Sequence, residues 1–356
     1  MNLLLSGLDT VECAYFWRPG VDCLLNFAAL AQIKESKKAA KQREASCVQV
    51  GSKEFLLSPN GTASGYPFMM SNPDMSVQFG EFNNPGFFIT YRSAALWHKG
   101  ATALHKDSVE WANGLHLATA QTESLSRVDF AFDFHLPHQD FDADNFVTVT
   151  SLDSQHRKDR KAQTYTFGKG DVVLRVYNKS AEIKDSSQKT WFYPLWGGIE
   201  EDVWRVEFQV RKEVLRRFGI RTFADLNDSA GDVLRFLVTE HTTLRVKGDD
   251  SNRSRWTLHP LWAMLQEHVA TLNTQGVVRV IDAQEAAKER LMRLAISLEG
   301  YVKRIASLEC VRSGAKMMSH EQALHRVMGW LKLAHDPLSW YSDVQKRIDQ
   351  TRLGQW

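Results

Sequence analysis

Three segments of the 356-residue chain set acids, cations and one phenol at two-residue spacing. In SRVDFAFDF (126–134), Val128, Phe130, Phe132 and Phe134 alternate with Arg127, Asp129, Ala131 and Asp133. In DVVLRVYNK (171–179), Val172, Leu174 and Val176 alternate with Val173, Arg175, Tyr177 and Lys179. In VWRVEFQV (203–210), Trp204, Val206, Phe208 and Val210 alternate with Arg205, Glu207 and Gln209. A period of two is that of a strand with one side buried and the other available. If the three strands share a sheet, the available side collects two Asp, one Glu, one Tyr, three Arg and a Lys. Carboxylates can hold a divalent metal, Mg or Mn, and the metal polarises a phosphate that a phenol can attack. Arg175 and Lys179 beside the phenol would hold phosphates and steady its oxyanion.

The plain alternative is a solvated outer face carrying cross-strand salt bridges, and alternation alone favours it. Geometry also limits the metal site. Asp129 and Asp133 stand four residues apart on one strand, so their Cα atoms lie ~13 Å apart and one ion takes both only if the strand bulges. Asp129 with a cross-strand Glu207 is therefore the first choice of ligands, and Asp133 the second. A phenol titrates near 10, so Tyr177 needs activation by metal, cations or a base.

Other groups were weighed against this face. The cluster Arg157, Lys158, Arg160 and Lys161 either grips DNA phosphates beside the site or is a solvated charge run. Arg253 and Arg255 read the same way. His135 and His138, in HLPHQD, sit in a predicted loop and read as surface residues. Tyr165 reads as a sheet residue and Tyr193, in WFYPLWGG, as packing. The HEQALHR stretch near 320–326 hints at a tyrosine recombinase, but the catalytic order of that class is not evident.

The elements that must position these groups form a mixed pattern. Apolar residues at helical spacing run from 21 to about 44. Short β-type runs broken by Gly, Pro and Asn follow between 46 and 91, then a helical stretch through roughly 93–115. Helical spacing returns from 211, and KGDDSNRSR at 247–255 reads as an exposed connection. Beyond it, 258–273, 283–309, 319–334 and 337–351 read as helices whose Trp330, Leu331, Leu333 and Trp340 form a core or a homodimer face. The expected architecture is α+β: a large antiparallel sheet with helices packed on one face in a catalytic domain at 1–250, followed by a helical C-terminal region at 251–356. SGLDTVEC at 6–13 and SRVDFAFD at 126–133 share a Ser-x-apolar-Asp opening, and chance similarity is the simpler explanation than a duplicated unit.

With 43% hydrophobic and 24% charged residues, the chain is neither disordered nor fibrous. A net charge of +2 means that any affinity for DNA must be local. Cys13, Cys23, Cys47 and Cys310 are widely spaced, which gives no zinc ribbon and no disulfide framework. No stretch reaches the ~18 apolar residues of a membrane span, and MNLLLSGLDTVEC lacks the features of a signal peptide. The expected place is the cytoplasm of a bacterial host.

The three blocks SRVDFAFDF, YTFGKGDVVLRVYNKSAE and VWRVEFQVRKE resemble, in order and spacing, the signature of the replication initiation factor family. That family comprises rolling-circle replication initiators of plasmids and filamentous phages, with related transfer relaxases. Its pattern is an Arg-(Leu/Val)-Asp-x-Ala-x-Asp strand, a Tyr/Phe-Gly hairpin leading into Arg-(Ile/Val)-Tyr-(Asn/Asp)-Lys-x-x-Glu, and a Trp-Arg-(Val/Leu)-Glu strand. The resemblance covers roughly 126–213. It implies that Tyr177 forms the covalent bond to DNA and that Asp129, Asp133 and Glu207 belong to a metal-dependent site. It further implies that Arg175, Lys179 and Arg205 flank that site as cations, and that Glu182 closes the second block. The FGKGD tip is shorter than the family's usual Gly-x-x-x-Ser tip, which bears on how that turn touches DNA.

What the resemblance implies is nicking of one strand at an origin, a 5′-phosphotyrosine intermediate, and later rejoining without ATP. The freed 3′ hydroxyl would prime a polymerase, with a host helicase as a further partner. A conjugative relaxase shares this chemistry, and a non-catalytic DNA-binding regulator on the same fold is the rival from another class.

Overall fold

The structure, a computed structural model, describes residues 1–39, 45–158, 161–276 and 283–352. The strands are β1 (Asn2–Tyr15), β2 (Trp17–Pro19), β3 (Ser46–Val50), β4 (Lys53–Leu57), β5 (Phe68–Ser71), β6 (Met75–Phe79), β7 (Phe87–Tyr91), β8 (Leu117–Thr119), β9 (Ser124–His135), β10 (Phe146–Thr148), β11 (Asp153–Lys158), β12 (Lys161–Phe167), β13 (Val172–Asn178), β14 (Val203–Arg211) and β15 (Thr242–Leu244). The helices are α1 (Phe27–Ala39), α2 (Ser93–Lys99), α3 (Ala101–Gly114), α4 (Lys179–Glu182), α5 (Phe192–Leu195), α6 (Lys212–Arg217), α7 (Phe223–Phe236), α8 (Pro260–Ala270), α9 (Ala283–Ser313), α10 (His320–Ala334) and α11 (Trp340–Arg352). The class is α+β, as the periodicities predicted. Among the described residues, no helix is long and apolar enough to cross a membrane.

Eleven strands form one antiparallel sheet in the order β11-β12-β13-β14-β9-β1-β7-β6-β5-β4-β3. The order is symmetrical about the β9/β1 junction. Each central strand opens its half, and the strands that follow it pair inward from the edge, β14 onto β9 and β7 onto β1. This arrangement favours the duplicated unit over chance for the echo between residues 6–13 and 126–133.

Alternation decides which side of the sheet is covered by what. Val128, Phe130, Phe132, Leu174, Val176, Val206 and Phe208 are buried in the main core. Helices supply the other wall: Phe27 of α1 meets Phe68, Trp111 of α3 meets Phe55, and Trp262 of α8 meets Phe208. Helix α7 is fixed at its start by Thr222, which caps the Asp225 amide while the Asp225 carboxylate caps Thr222 in return. The opposite side is covered too, at its centre, by a smaller cluster in which Phe192 and Trp196 pack with Trp97 of α2. Gly7 lies there, directly across from Ala131. A Cβ on Gly7 would stand 2.7 Å from the Trp97 ring, so only glycine admits that ring.

The chain divides into two compact units, Met1–Val280 and Ile281–Trp356. The boundary thus falls later than the expected 250. Leu261, Trp262 and Leu265 of α8 are buried in the core of the first unit, which ties the 247–255 connection to it as well. The second unit holds α9, α10 and α11. Ser319 caps α10 through the Gln322 amide, with Gln322 capping in return.

Candidate active site on the polar face of β9, β13 and β14

Backbone register brings the three sequence blocks together. Strand β14 lies between β13 and β9, with Tyr177 opposite Arg205 and Arg205 opposite Asp133. One step along, Arg175 faces Glu207 and Glu207 faces Ala131; the next step sets Gln209 beside Asp129. The residues assigned to one face by alternation do share it.

Tyr177 is half-buried, and its hydroxyl donates to Glu207 Oε2 at 3.0 Å. Burial and the Glu207 charge push the phenol well above its ordinary value, although Arg205 opposes them. The resting side chain is therefore a neutral donor with its proton aimed at a carboxylate. The other Glu207 oxygen accepts from Arg175 Nη1 at 3.1 Å, and Arg175 Nη2 donates to Gln209 Oε1 at 3.2 Å. Arg175 is the cation of this group that keeps a solvent-facing part, with a third of its side chain exposed.

Strand β13 ends at Asn178, whose side chain accepts from the Ala181 amide and starts α4. Lys179 therefore belongs to the helix, one residue beyond the strand expected from its sequence. It is buried, ion-paired with Glu182 at 2.6 Å, and lies 5.6 Å from the Tyr177 ring centre and 5.2 Å from that of Phe192. Burial and the nearby Arg205 pull its ammonium below the usual lysine value.

Two assignments need correction. The resemblance implies that Arg205 flanks the site as a cation, within reach of DNA, but it has no exposed surface. Its guanidinium is held by Asp133 and by Asp9 Oδ1 at 2.7 Å, and sits 4.6 Å from the Phe192 ring centre and 5.5 Å from that of Trp97. Asp133 was the second-choice metal ligand, but both its oxygens are engaged by Arg205, and Trp196 Nε1 adds a bond at 2.9 Å. It is a structural counter-ion. Burial opposes charge on Asp9, yet Arg205, Lys189 and Trp97 hold its carboxyl well below the usual range.

Asp129 is also buried and receives Arg127 Nε at 2.8 Å. Burial outweighs that arginine and, aided by the Glu207 charge, pushes Asp129 up to about 6. Asp129 and Glu207 thus feel each other across the strand pair. Among the described residues, no group of three or more His, Cys, Asp or Glu is placed to hold a metal ion.

The remaining assignments lie apart from this cluster. Arg157 is exposed on the edge strand β11. Arg160 falls outside the described residues, and the side chains of Lys158 and Lys161 are not among those described. Arg253 donates to the Asp144 carbonyl at 2.8 Å, and Arg255 lies 3.5 Å from Asp250, both on the exposed connection. Tyr165 is core, with 1% exposure.

Sequence reasoning did not find Asp9, Trp97 or Trp196. Asp9 is the extra residue where the register of β1 against β9 slips between Leu8 and Thr10. A bulge of this kind re-aims a side chain, and here it delivers a carboxylate to Arg205. The shared Ser-x-apolar-Asp opening was the one signal that marked it.

No family model matches the chain. Over 128 residues it is 27% identical to a replication initiation protein of Staphylococcus aureus, an alignment that takes in 35% of this chain and 37% of that protein. The chain thus matches little more than a third of that relative's length. A solved structure of a rolling-circle replication initiator protein from Geobacillus stearothermophilus covers 77% of this chain and 99% of its own, at 17% identity and a TM-score of 0.44.

Proposed function

We propose that the chain is a rolling-circle DNA replication initiator that nicks one strand at an origin with Tyr177 and later rejoins it. The observation that carries this reading is the Tyr177–Glu207 hydrogen bond of 3.0 Å, with the Arg175 guanidinium bound to the same carboxylate. A phenol aimed at a carboxylate is a nucleophile beside its proton acceptor. The name of the Staphylococcus relative points the same way.

In this reading the Tyr177 oxygen attacks the scissile phosphorus as its proton passes to Glu207. The bond from phosphorus to the 3′ oxygen breaks, and that oxygen leaves as a hydroxyl once the proton held by Glu207 returns to it through solvent. Arg175, partly exposed and bound to Glu207, is placed to orient the acceptor and meet the phosphate. The buried Arg205 and Lys179 favour negative charge on the phenol oxygen from below. The phosphotyrosine keeps the bond energy, so the reverse attack reseals the strand.

Mg²⁺ or Mn²⁺ would polarise the phosphate if held by Asp129 and Glu207, but these carboxylates do not fit an ion as they stand: Arg127 takes both Asp129 oxygens, and Tyr177 and Arg175 take those of Glu207. Asp133 does not fit either, because Arg205 engages both its oxygens. The proposed partner is origin DNA, single-stranded or supercoiled, in a bacterial cytoplasm, with host helicase and polymerase acting afterwards. A relaxase of a conjugative element would use the same geometry. The deciding experiment incubates the protein with supercoiled candidate replicons and Mg²⁺ or Mn²⁺, then maps the residue linked to DNA. Linkage at Tyr177 is expected; linkage at another tyrosine, or none on any replicon, overturns the reading.

A further inference from the structure

Between the sheet and its helices lies a cavity that the site chemistry does not use. It measures about 260 Å³, and its wall is largely apolar, with Phe130 and Phe132 of β9, Leu226 and Leu234 of α7, and Leu272 just past α8. Gly231 of α7 keeps the space in shape. Its amide donates to the Asn273 carbonyl at 3.0 Å, and a Cβ there would stand 2.5 Å from that oxygen. One residue on, the Asp232 carboxylate accepts from the Gln275 amide at 2.7 Å. The chain leaving α8 is thus tied to the middle of α7, which fixes both helices around the gap instead of letting them close it.

One polar group in this wall is unsatisfied. His268 of α8 lines the cavity, its ring T-shaped against that of Phe132 at 5.9 Å between centres. Its Nε2 is enclosed and has no hydrogen-bond partner among the described residues. Burial pulls the imidazole below its ordinary value, so near pH 7 the ring is neutral, with a proton on one nitrogen and a lone pair on the other. Asn227 and Asn273 also line the cavity, but they already bond Thr102 and the Asn227 carbonyl, which leaves the Ser6 hydroxyl and His268. A mostly apolar wall with a few placed polar groups is the usual make-up of a small-molecule site. Size narrows the ligand further. An apolar cavity of ~150 Å³ takes a single benzene ring, so this one has room for two fused rings.

We propose that the cavity binds a planar, fused-ring aromatic molecule whose single N–H donates to His268 Nε2, a ligand of the indole type. The occupant would rest on Phe130 and Phe132, the back of the strand that carries Asp129 and Asp133 on its opposite face. This binding is independent of the nicking reading and would hold for a regulator as well.

Calorimetric titration of the full chain with indole, and with indene, its carbon counterpart lacking the N–H, tests the proposal. Indole should saturate one site per chain and bind about fivefold tighter than indene, the share of one hydrogen bond. His268→Leu should erase that preference and leave indene binding within about twofold of wild type. Ala230→Phe, which fills the cavity from α7, should bind neither compound. Thermal melting checks that each variant is folded, and His268→Leu decides alone if Ala230→Phe is not. No saturable binding of indole up to millimolar concentration would overturn the proposal. So would unchanged indole binding by a folded Ala230→Phe protein, since the ligand would then sit elsewhere, or a preference for indole that survives in His268→Leu.

Discussion

Arg205 grips Asp133 with two parallel hydrogen bonds, Nε to Oδ1 at 2.6 Å and Nη2 to Oδ2 at 2.8 Å, and neither side chain has any exposed surface. Removing one member strands the other as an uncompensated buried charge. Asp133→Ala should therefore destabilise the fold by about 3 kcal/mol, at the low end of such losses because Asp9 still pairs with Arg205. Urea denaturation measures this. A loss below ~1 kcal/mol would mean that the pair is not a structural anchor.

Tyr177→Phe removes one hydroxyl and one hydrogen bond to a carboxylate. The loss of stability should be no more than about 2 kcal/mol, because the ring remains in place. Denaturing gels should show no protein–DNA adduct, while equilibrium DNA binding stays within a few-fold of wild type. A variant that still captures DNA would remove Tyr177 from the chemistry.

Asp129 gives the protein a specific pH dependence. Its folded-state value, about 6, lies above the ordinary 3.8. Between these values the folded state binds more protons than the unfolded one, so this group's contribution to stability falls as pH rises from about 4 to about 6. Asp129→Asn should accordingly melt higher than wild type at pH 8, by up to ~2 kcal/mol, with the gap closing near pH 4. Equal melting temperatures at pH 8 would show that Arg127 compensates the charge fully.

Arg157 offers a test of where DNA lies. It is exposed on the edge of the sheet, beyond the strand that pairs with β13. If the backbone of DNA crosses this edge, Arg157→Ala should weaken binding uniformly across sequences. The slope of log affinity against log salt should then shrink by about one. An unchanged slope would leave Arg157 as a solvated charge.

The alternation of 126–134, 171–179 and 203–210 was enough to place Tyr177, Arg175, Glu207, Asp129 and Asp133 on one face, because strand geometry admits no other pattern. What it could not show was the cover. Trp97 comes from α2, Phe192 from α5 and Trp196 from just beyond it, and nothing in the periodicity of β14 says that Arg205 meets them. A polar side chain opposite an apolar row reads as solvent-facing, so alternation alone predicts accessible cations at Arg205 and Lys179. Asp9 was hidden for a different reason: strict alternation breaks at a bulge, and the break is made by pairing with β9, far along the chain. The domain boundary shifted because a polar connection at 247–255 looks like a linker, yet α8 beyond it supplies Trp262 to the core.

The mirrored strand order has a consequence for dissecting the protein. Strands β1 and β9, with 14 and 12 residues, are the longest in the sheet and zip together along most of their length. Severing the chain between its two similar moieties would leave each with a long ribbon of unsatisfied amide and carbonyl groups, an invitation to stick to its own kind. Truncated pieces of this protein should accordingly precipitate or mispair, and only the two made together, able to re-zip, should recover a soluble particle.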